Sequence, residues 1–313
     1  MTAPSRVIAV FGASGFVGHA VSSALEASGH EVVGLRAPRI TRVTGQERRE
    51  IVADLRHAIS GCSAVVNAAG VAEAAGSESE DLIGANAVLP GLIAEAAARE
   101  DVRLVHVSTA AVQGRRGVLD SSHEVSPFSP YSRSKLAGER AVAAHGRGAV
   151  VYRPPGVHGP ERRVTQSLAR LAASPLSSVA GRGDRPTANV LAASVGSAVA
   201  HLATTPASPP PVVHHPSEGM TTESLLRLLG GRRPIGVPFP AARAVMLMTL
   251  ALGQAHPAIL ASARRLEMLW FGQSQAPSWL DDDGWRTPTT DEDWRVLGES
   301  ARRARVKDSK ERA

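Results

Sequence analysis

Through the first half of the chain, short apolar runs alternate with segments whose apolar residues recur at spacings of three and four. The runs are RVIAVFG (6–12), HEVVGLR (30–36), REIVADL (49–55), SAVVNAAG (63–70), VRLVHVS (102–108) and AVVYRPPG (149–156). Short and nearly continuous in apolar character, they predict strands of a parallel sheet covered by helices on both faces. FVGHAVSSALEAS (16–28) and DLIGANAVLPGLIAEAAARE (81–100) carry the helical spacing between them. Such alternation points to an α/β, doubly wound parallel sheet.

After about residue 160 the pattern loosens. Helices are expected at TQSLARLAAS, AASVGSAVAHLATT and TTESLLRLLGG, separated by Pro-rich and Gly-rich connections such as PASPPPVV. The expected organisation is a first domain over 1–160, with a returning segment near 187–206, and a smaller C-terminal lobe mainly over 161–300. The basic stretch 301–313 reads as a flexible tail. The apolar stretch AARAVMLMTLALGQAHPAIL (241–260), with its core at 244–252, is broken by Gly253, His256 and Pro257. Its longest apolar run is much shorter than the ~20 residues of a spanning helix, so a buried or lid helix is expected and no membrane span.

Composition narrows the function classes. The net charge of +6 and pI near 10.3 would suit a nucleic-acid partner, but the basic residues are scattered and no nucleic-acid-binding motif accompanies them. No nucleic acid is therefore expected. Cys62 is the only cysteine, so an intramolecular disulfide is excluded, and a reducing, cytoplasmic setting is expected. The start MTAPSRVIAVFG lacks the pattern of a secretory signal and reads as leading into the first strand.

Gly12, Gly15 and Gly18 stand between the first strand and the first helix. Glycines there allow a tight turn, close approach of backbone to phosphate and close helix packing, and the helix N-terminus favours a diphosphate. This is the pattern of a Rossmann-type dinucleotide site, held by Gly12, Ser14, Gly15, Phe16, Val17 and Gly18. At the end of the second strand stand Arg36 and Arg39, with no acid nearby. A carboxylate would repel a ribose 2′-phosphate, whereas arginine attracts it, so NADP(H) is preferred and NAD(H) remains possible.

Tyr131 and Lys135 are four residues apart and share one face if SPYSRSKLAGERAVAA (129–144) is helical, and Ser129 and Pro130 are start signals for that helix. An ammonium beside a phenol lowers its pKa, which suits proton exchange with an alcohol or ketone. GxxGxxG after the first strand, NAAG (67–70), VSTAAVQG (107–114), YxxxK (131–135) and RPPGVHGP (153–160) follow in order. Together they resemble the extended short-chain dehydrogenase/reductase superfamily, the NAD(P)-dependent epimerase/dehydratase group. The resemblance implies that Tyr131 is the general acid/base, that Lys135 lowers its pKa and holds the nicotinamide ribose, and that Thr109 hydrogen-bonds the reacting oxygen, with Ser108 as fallback. It also implies that Asp54 and Leu55 flank adenine, that Ala68, Ala69, Gly70 and Asn86 line the dinucleotide, and that Pro154 and Pro155 lie on the nicotinamide side. Homodimerisation is common in the group and is a further expectation.

The chain departs from the group's usual VYG at Val112, Gln113 and Gly114, and from RPxNVYGP at Gly156 and His158. Gly156 puts a nucleotide-sugar substrate in doubt, while Arg185 matches an arginine that often grips a diphosphate. Gln113 and His158 are expected to border the substrate, with a packing role as the alternative. No cluster has metal-ligand spacing, so no metal is expected. The reading is an NADP(H)-dependent reductase of a sugar-like or other small carbonyl compound, acting on a small-molecule ketone or in reverse on its alcohol. An epimerase with tightly bound NAD and a non-catalytic NADP-binding regulatory or assembly protein are the alternatives.

Overall fold

The structure, a computed structural model, describes residues 5–41, 43–71, 79–145, 148–255 and 266–311. The chain forms two compact units. The first runs up to Pro155 and adds Ala192–Pro216 and Pro277–Pro288, and the second takes Gly156–Leu191, Ser217–Ala276 and the chain from Thr289 onward.

In chain order the first unit holds β1 (Val7–Phe11), α1 (Phe16–Ala27), β2 (Glu31–Leu35), α2 (Gly45–Ile59), β3 (Ala64–Asn67), α3 (Glu80–Ile83), a π-helical turn (Gly84–Val88) and α4 (Leu89–Arg99). There follow β4 (Arg103–Val107), a 3₁₀ turn (Ala110–Gln113), β5 (Val118–Leu119), α5 (Pro130–Ala143), β6 (Ala149–Arg153), α7 (Ala192–Thr204), β10 (Val212–His214) and α11 (Trp279–Asp282). Six strands form a parallel sheet in the order β10-β6-β4-β3-β1-β2. One face packs Ala9, Phe11, Val65, Leu104 and Val151 against Val52, Leu55 and Ile59 of α2, Leu92 and Ile93 of α4, and Val142 of α5. On the other, α7 packs on α1, β3 and β4. The strand order reverses at β1 and β3, the place where open α/β sheets bind ligands beyond their carboxyl ends.

One run read as a strand is a helix. REIVADL lies inside α2, where Thr44 and Glu47 form a reciprocal cap with Thr44 N donating to Glu47 Oε2 at 2.8 Å. Val52, Leu55 and Ile59 face the core while Glu50, Ala53 and Asp54 are exposed, a helical period that seven residues are too few to display. The sheet instead takes its sixth strand from β10, which begins at the end of the Pro-rich connection 206–213. Accordingly β10 and α11 belong with the sheet, where the sequence reading ended the returning segment at 206 and gave 277–288 to the lobe.

The second unit holds β7 (Gly156–His158), α6 (Arg163–Ala173), β8 (Ser178–Ala180), β9 (Asn189–Leu191), α8 (Thr222–Gly230), β11 (Ile235–Val237), α9 (Phe239–Ala255), α10 (266–271), β12 (Ser274–Gln275) and α12 (Asp291–Glu311). Parallel pairs β7–β9 and β8–β11 frame a core of Val179, Leu225, Leu226, Leu228, Leu229, Trp294 and Leu297. Helix α12 continues to Glu311, so 301–311 of the stretch read as a tail is helical, while 312 and 313 lie outside the described residues. In α9, Ala242 and Met246 are buried, but Leu247 and Met248 are 69% and 63% exposed, so of the expected buried or lid helix the buried reading is the one corrected; residues 256–260 of that stretch lie outside the described residues. Among the described residues one helical segment, Glu80–Arg99, is long and apolar enough to cross a membrane, and 61% of its apolar window is buried within the protein.

Candidate active site

The glycine loop at the end of β1 is built by close approach. Gly12 has φ +78°, and a Cβ there would stand 2.8 Å from the Ala69 backbone, so the β1 and β3 loops touch only because residue 12 lacks a side chain. Gly18 seats α1 on the loop, since its Cβ would fall 1.9 Å from the Gly12 carbonyl. Helix α1 follows Gly15 with no side-chain cap and no acidic residue in its first turn, so its positive end favours an anion. Ser14 and Gly15 are exposed, while Phe16 and Val17 are partly buried.

Beyond β2, Arg36, Ala37, Pro38 and Arg39 line a cavity of about 560 Å³. Both arginines are exposed. Across the switch point, Ala69 N donates to Asn67 Oδ1 at 3.1 Å and Ala68 N to the Phe11 carbonyl at 3.0 Å. Asn86, fully buried in the π-helical turn, clamps the next residue. Val71 N donates to its Oδ1 and its Nδ2 donates to the Val71 carbonyl, both at 3.0 Å, and Nδ2 also reaches Ser134 Oγ at 3.1 Å. Thus Asn86 shapes the 70–71 backbone rather than standing open to a ligand, and the π turn is the irregularity that turns it inward.

Helix α5 starts at a reciprocal cap between Ser129 and Ser132 with Pro130 at its first position. This sets Tyr131, partly buried, in the first turn and Lys135 one turn later. Lys135 is 4% exposed and its Nζ donates to the Val107 carbonyl at 2.7 Å. Burial draws its pKa down from 10.5 to about 8, opposed by Glu139. Thr109 follows β4 in extended geometry, and its Oγ1 accepts from Ala111 N at 3.2 Å while keeping a proton to donate. Ser108, the fallback, is ruled out as that donor: it is buried and gives its hydroxyl to Glu139.

Four further polar residues lie beneath this set and were missed by sequence reasoning. Glu139 and Arg153 form a buried ion pair, Nη2 to Oε2 at 2.6 Å. Asn67 and His106, in register on β3 and β4, meet at 3.2 Å. With Asn67 Nδ2 donating, His106 carries its proton on Nε2, which has no protein partner among the described residues. Burial and the Lys135 charge push the His106 pKa well below 6.5, so it is neutral. The one available signal was a Glu four residues beyond Lys135.

Other expected contacts are placed elsewhere. Asp54 and Leu55 sit in the last two turns of α2, with Leu55 in the core, so they do not flank a ligand at the sheet's carboxyl edge. Gln113 is fully buried and bonded to Asp120 through both ends, Nε2 to Oδ1 at 2.6 Å and Asp120 N to Oε1 at 3.1 Å. In the second unit His158 is buried, with Nδ1 at Thr165 Oγ1 and Nε2 at Asn189 Oδ1. Both are packing residues rather than substrate contacts. Arg185 is exposed in the same unit, its guanidinium 5.0 Å from the centre of the Phe239 ring. Pro154 and Pro155 are buried, and the Pro154 carbonyl accepts from Ala110 N, tying β6 to the Thr109 segment.

Over 173 residues the chain is 32% identical to dTDP-4-dehydrorhamnose reductase of Mycolicibacterium smegmatis, a match covering 53% of this chain and 51% of that protein. It thus spans about half the length of this curated relative. The crystal structure of dTDP-4-dehydrorhamnose reductase from Bacillus anthracis in complex with NADP aligns with a TM-score of 0.62 at 16% identity, covering 95% of this chain and 99% of the other. UDP-N-acetylglucosamine 4-epimerase from Bacillus cereus aligns with a TM-score of 0.61 at 15% identity, covering 95% and 100%. These two structures share the fold. Residues 6–226 match the family described as RmlD substrate binding domain, and with most of its length inside that match the chain belongs to this family of the extended short-chain dehydrogenase/reductase superfamily.

Proposed function

We propose that the protein is an NADP(H)-dependent reductase of a ketone on a sugar-like substrate, with NAD(H) a weaker cofactor. The observation that carries this reading is the cavity lined by Arg36 and Arg39 beyond β2, a basic site suited to a ribose 2′-phosphate. The residues present fit the cofactor in two further ways: the Gly12 turn exists only without a Cβ, and the α1 N-terminus has no acid to repel a diphosphate. The curated relative is named for a dehydro sugar carried on a nucleotide, so a nucleotide-linked keto sugar is the first substrate class to test.

When bound, NADPH supplies a hydride. The chain supplies the proton and the geometry. Tyr131 donates its hydroxyl proton to the substrate oxygen, and the Lys135 ammonium one turn away stabilises the phenolate left behind. One of the three Nζ donors is committed to Val107, which fixes the ammonium while leaving two donors for tyrosine and ribose. Thr109 donates its hydroxyl to the same substrate oxygen and so orients the carbonyl.

Purified protein is expected to oxidise NADPH when given a nucleotide-linked 4-keto sugar, faster than it oxidises NADH. Protein that co-purifies with tightly held NAD and interconverts sugar epimers without net oxidation would replace this reading with the epimerase.

A further inference from the structure

One turn beyond Lys135 on α5, and outside the Thr109, Tyr131 and Lys135 set, stands Glu139, 6% exposed. Two residues hold its carboxylate. Arg153 donates Nε to Oε1 at 3.0 Å and Nη2 to Oε2 at 2.6 Å, and Ser108 donates its hydroxyl to Oε1. Burying two charges carries a large desolvation cost, and an apolar pair of similar volume would often serve stability as well. The pair therefore calls for a role that its charge performs.

Its placement supplies one. Lys135 Nζ is bonded to the carbonyl of Val107, Glu139 to the hydroxyl of Ser108, and Thr109 comes next. Two residues on the helix that carries Tyr131 thus grip consecutive residues of the segment that carries Thr109. Among the described residues, the charged and titratable groups near Lys135 are neutral His106 from β4 and Glu139 one turn further along α5, with Tyr131 one turn before it on the same helix; Arg153 of β6 is tied to Glu139. Of these, only Glu139 is an anion.

We propose that Glu139 is a positioning residue for this site: its buried carboxylate, fixed by Arg153, keeps an anion one turn from Lys135 and anchors Ser108, so that the ammonium and the Thr109 hydroxyl stay in register with Tyr131. Burial draws the Lys135 pKa to about 8, and Glu139 is the charge that opposes a further fall. The inference rests on Tyr131 and Lys135 as the proton-transferring pair.

The whole chain contains three lysines, Lys135, Lys307 and Lys310, so labelling lysine with ¹³C at Cε lets NMR follow each ammonium separately. Glu139→Gln is expected to lower the Lys135 midpoint by about one pH unit. The alkaline limb of kcat/KM should move down by the same amount, and on its acid side kcat should return to within about threefold of wild type, because the ammonium is again protonated there. Should Glu139→Gln fail to fold with Arg153 left unpaired, the double variant Glu139→Gln with Arg153→Met removes both charges and should shift the midpoint in the same direction. A merely structural ion pair would change stability and leave the midpoint where it was, and that result overturns the inference. If the midpoint moves but wild-type protein reduces no keto sugar, the reductase reading fails and the positioning role stands.

Discussion

At the scale of single residues, the chemistry follows from which polar groups are left with something to give. Gln113 and His158 look equally suited to a ligand in the sequence, but each spends both polar ends on protein partners. Their partners are remote or lie across a turn, and no spacing rule announces them. Tyr131 and Lys135 were legible because a helix fixes their relation locally. Tyr131→Phe is expected to abolish turnover, at least 10²-fold, while leaving dinucleotide affinity nearly unchanged, as steady-state kinetics and a fluorescence titration with NADPH would show. Normal turnover would remove the tyrosine from its role as proton donor. At the other end of the cofactor, Arg36→Ala should weaken NADPH by about tenfold and NADH much less, since a charge-assisted bond to a phosphate is worth roughly 1.5–3 kcal/mol. Equal losses by calorimetry would remove the phosphate from the argument.

At the scale of elements, caps and faces decide what a short apolar run becomes. REIVADL has the composition of a strand, yet the Thr44 and Glu47 cap upstream and Ile59 downstream extend it into a helix with one buried face. Thr44→Ala should therefore cost about 1 kcal/mol of stability, read as a lower midpoint in urea with an unchanged slope. A strand at 49–55 would be indifferent to that loss. Helix α5 illustrates the opposite case: Ser129, Pro130 and the YxxxK spacing all signal the same helix, and the structure agrees with each. Strand β10 had no such signal. Three residues after a run of prolines become a strand only because β6 offers them an open edge, Val212 beside Val151.

At the scale of the whole molecule, each unit has its own buried core, and the second carries an acid-sensitive histidine. In the second unit, burial lowers the His158 pKa from 6.5 to about 4. Between those values the unfolded chain binds a proton that the folded unit refuses. The contribution of this residue is thus fully present above pH 6.5 and is lost as pH falls toward 4. Hydrogen exchange resolved by segment should show protection of β7, β9 and α6 declining across that window, and less so in His158→Asn; identical profiles would count against it.

The sequence by itself determined the kind of fold, the glycine turn and the helix that brings Tyr131 and Lys135 together, because these depend on periodicity and on backbone freedom within a few residues. Tertiary structure decided the sheet's sixth strand, the burial of Gln113 and His158, and the layer of Asn67, His106, Glu139 and Arg153 beneath the site. Those outcomes depend on which distant groups meet once water is excluded, and a buried polar group takes its role from the partner that satisfies it.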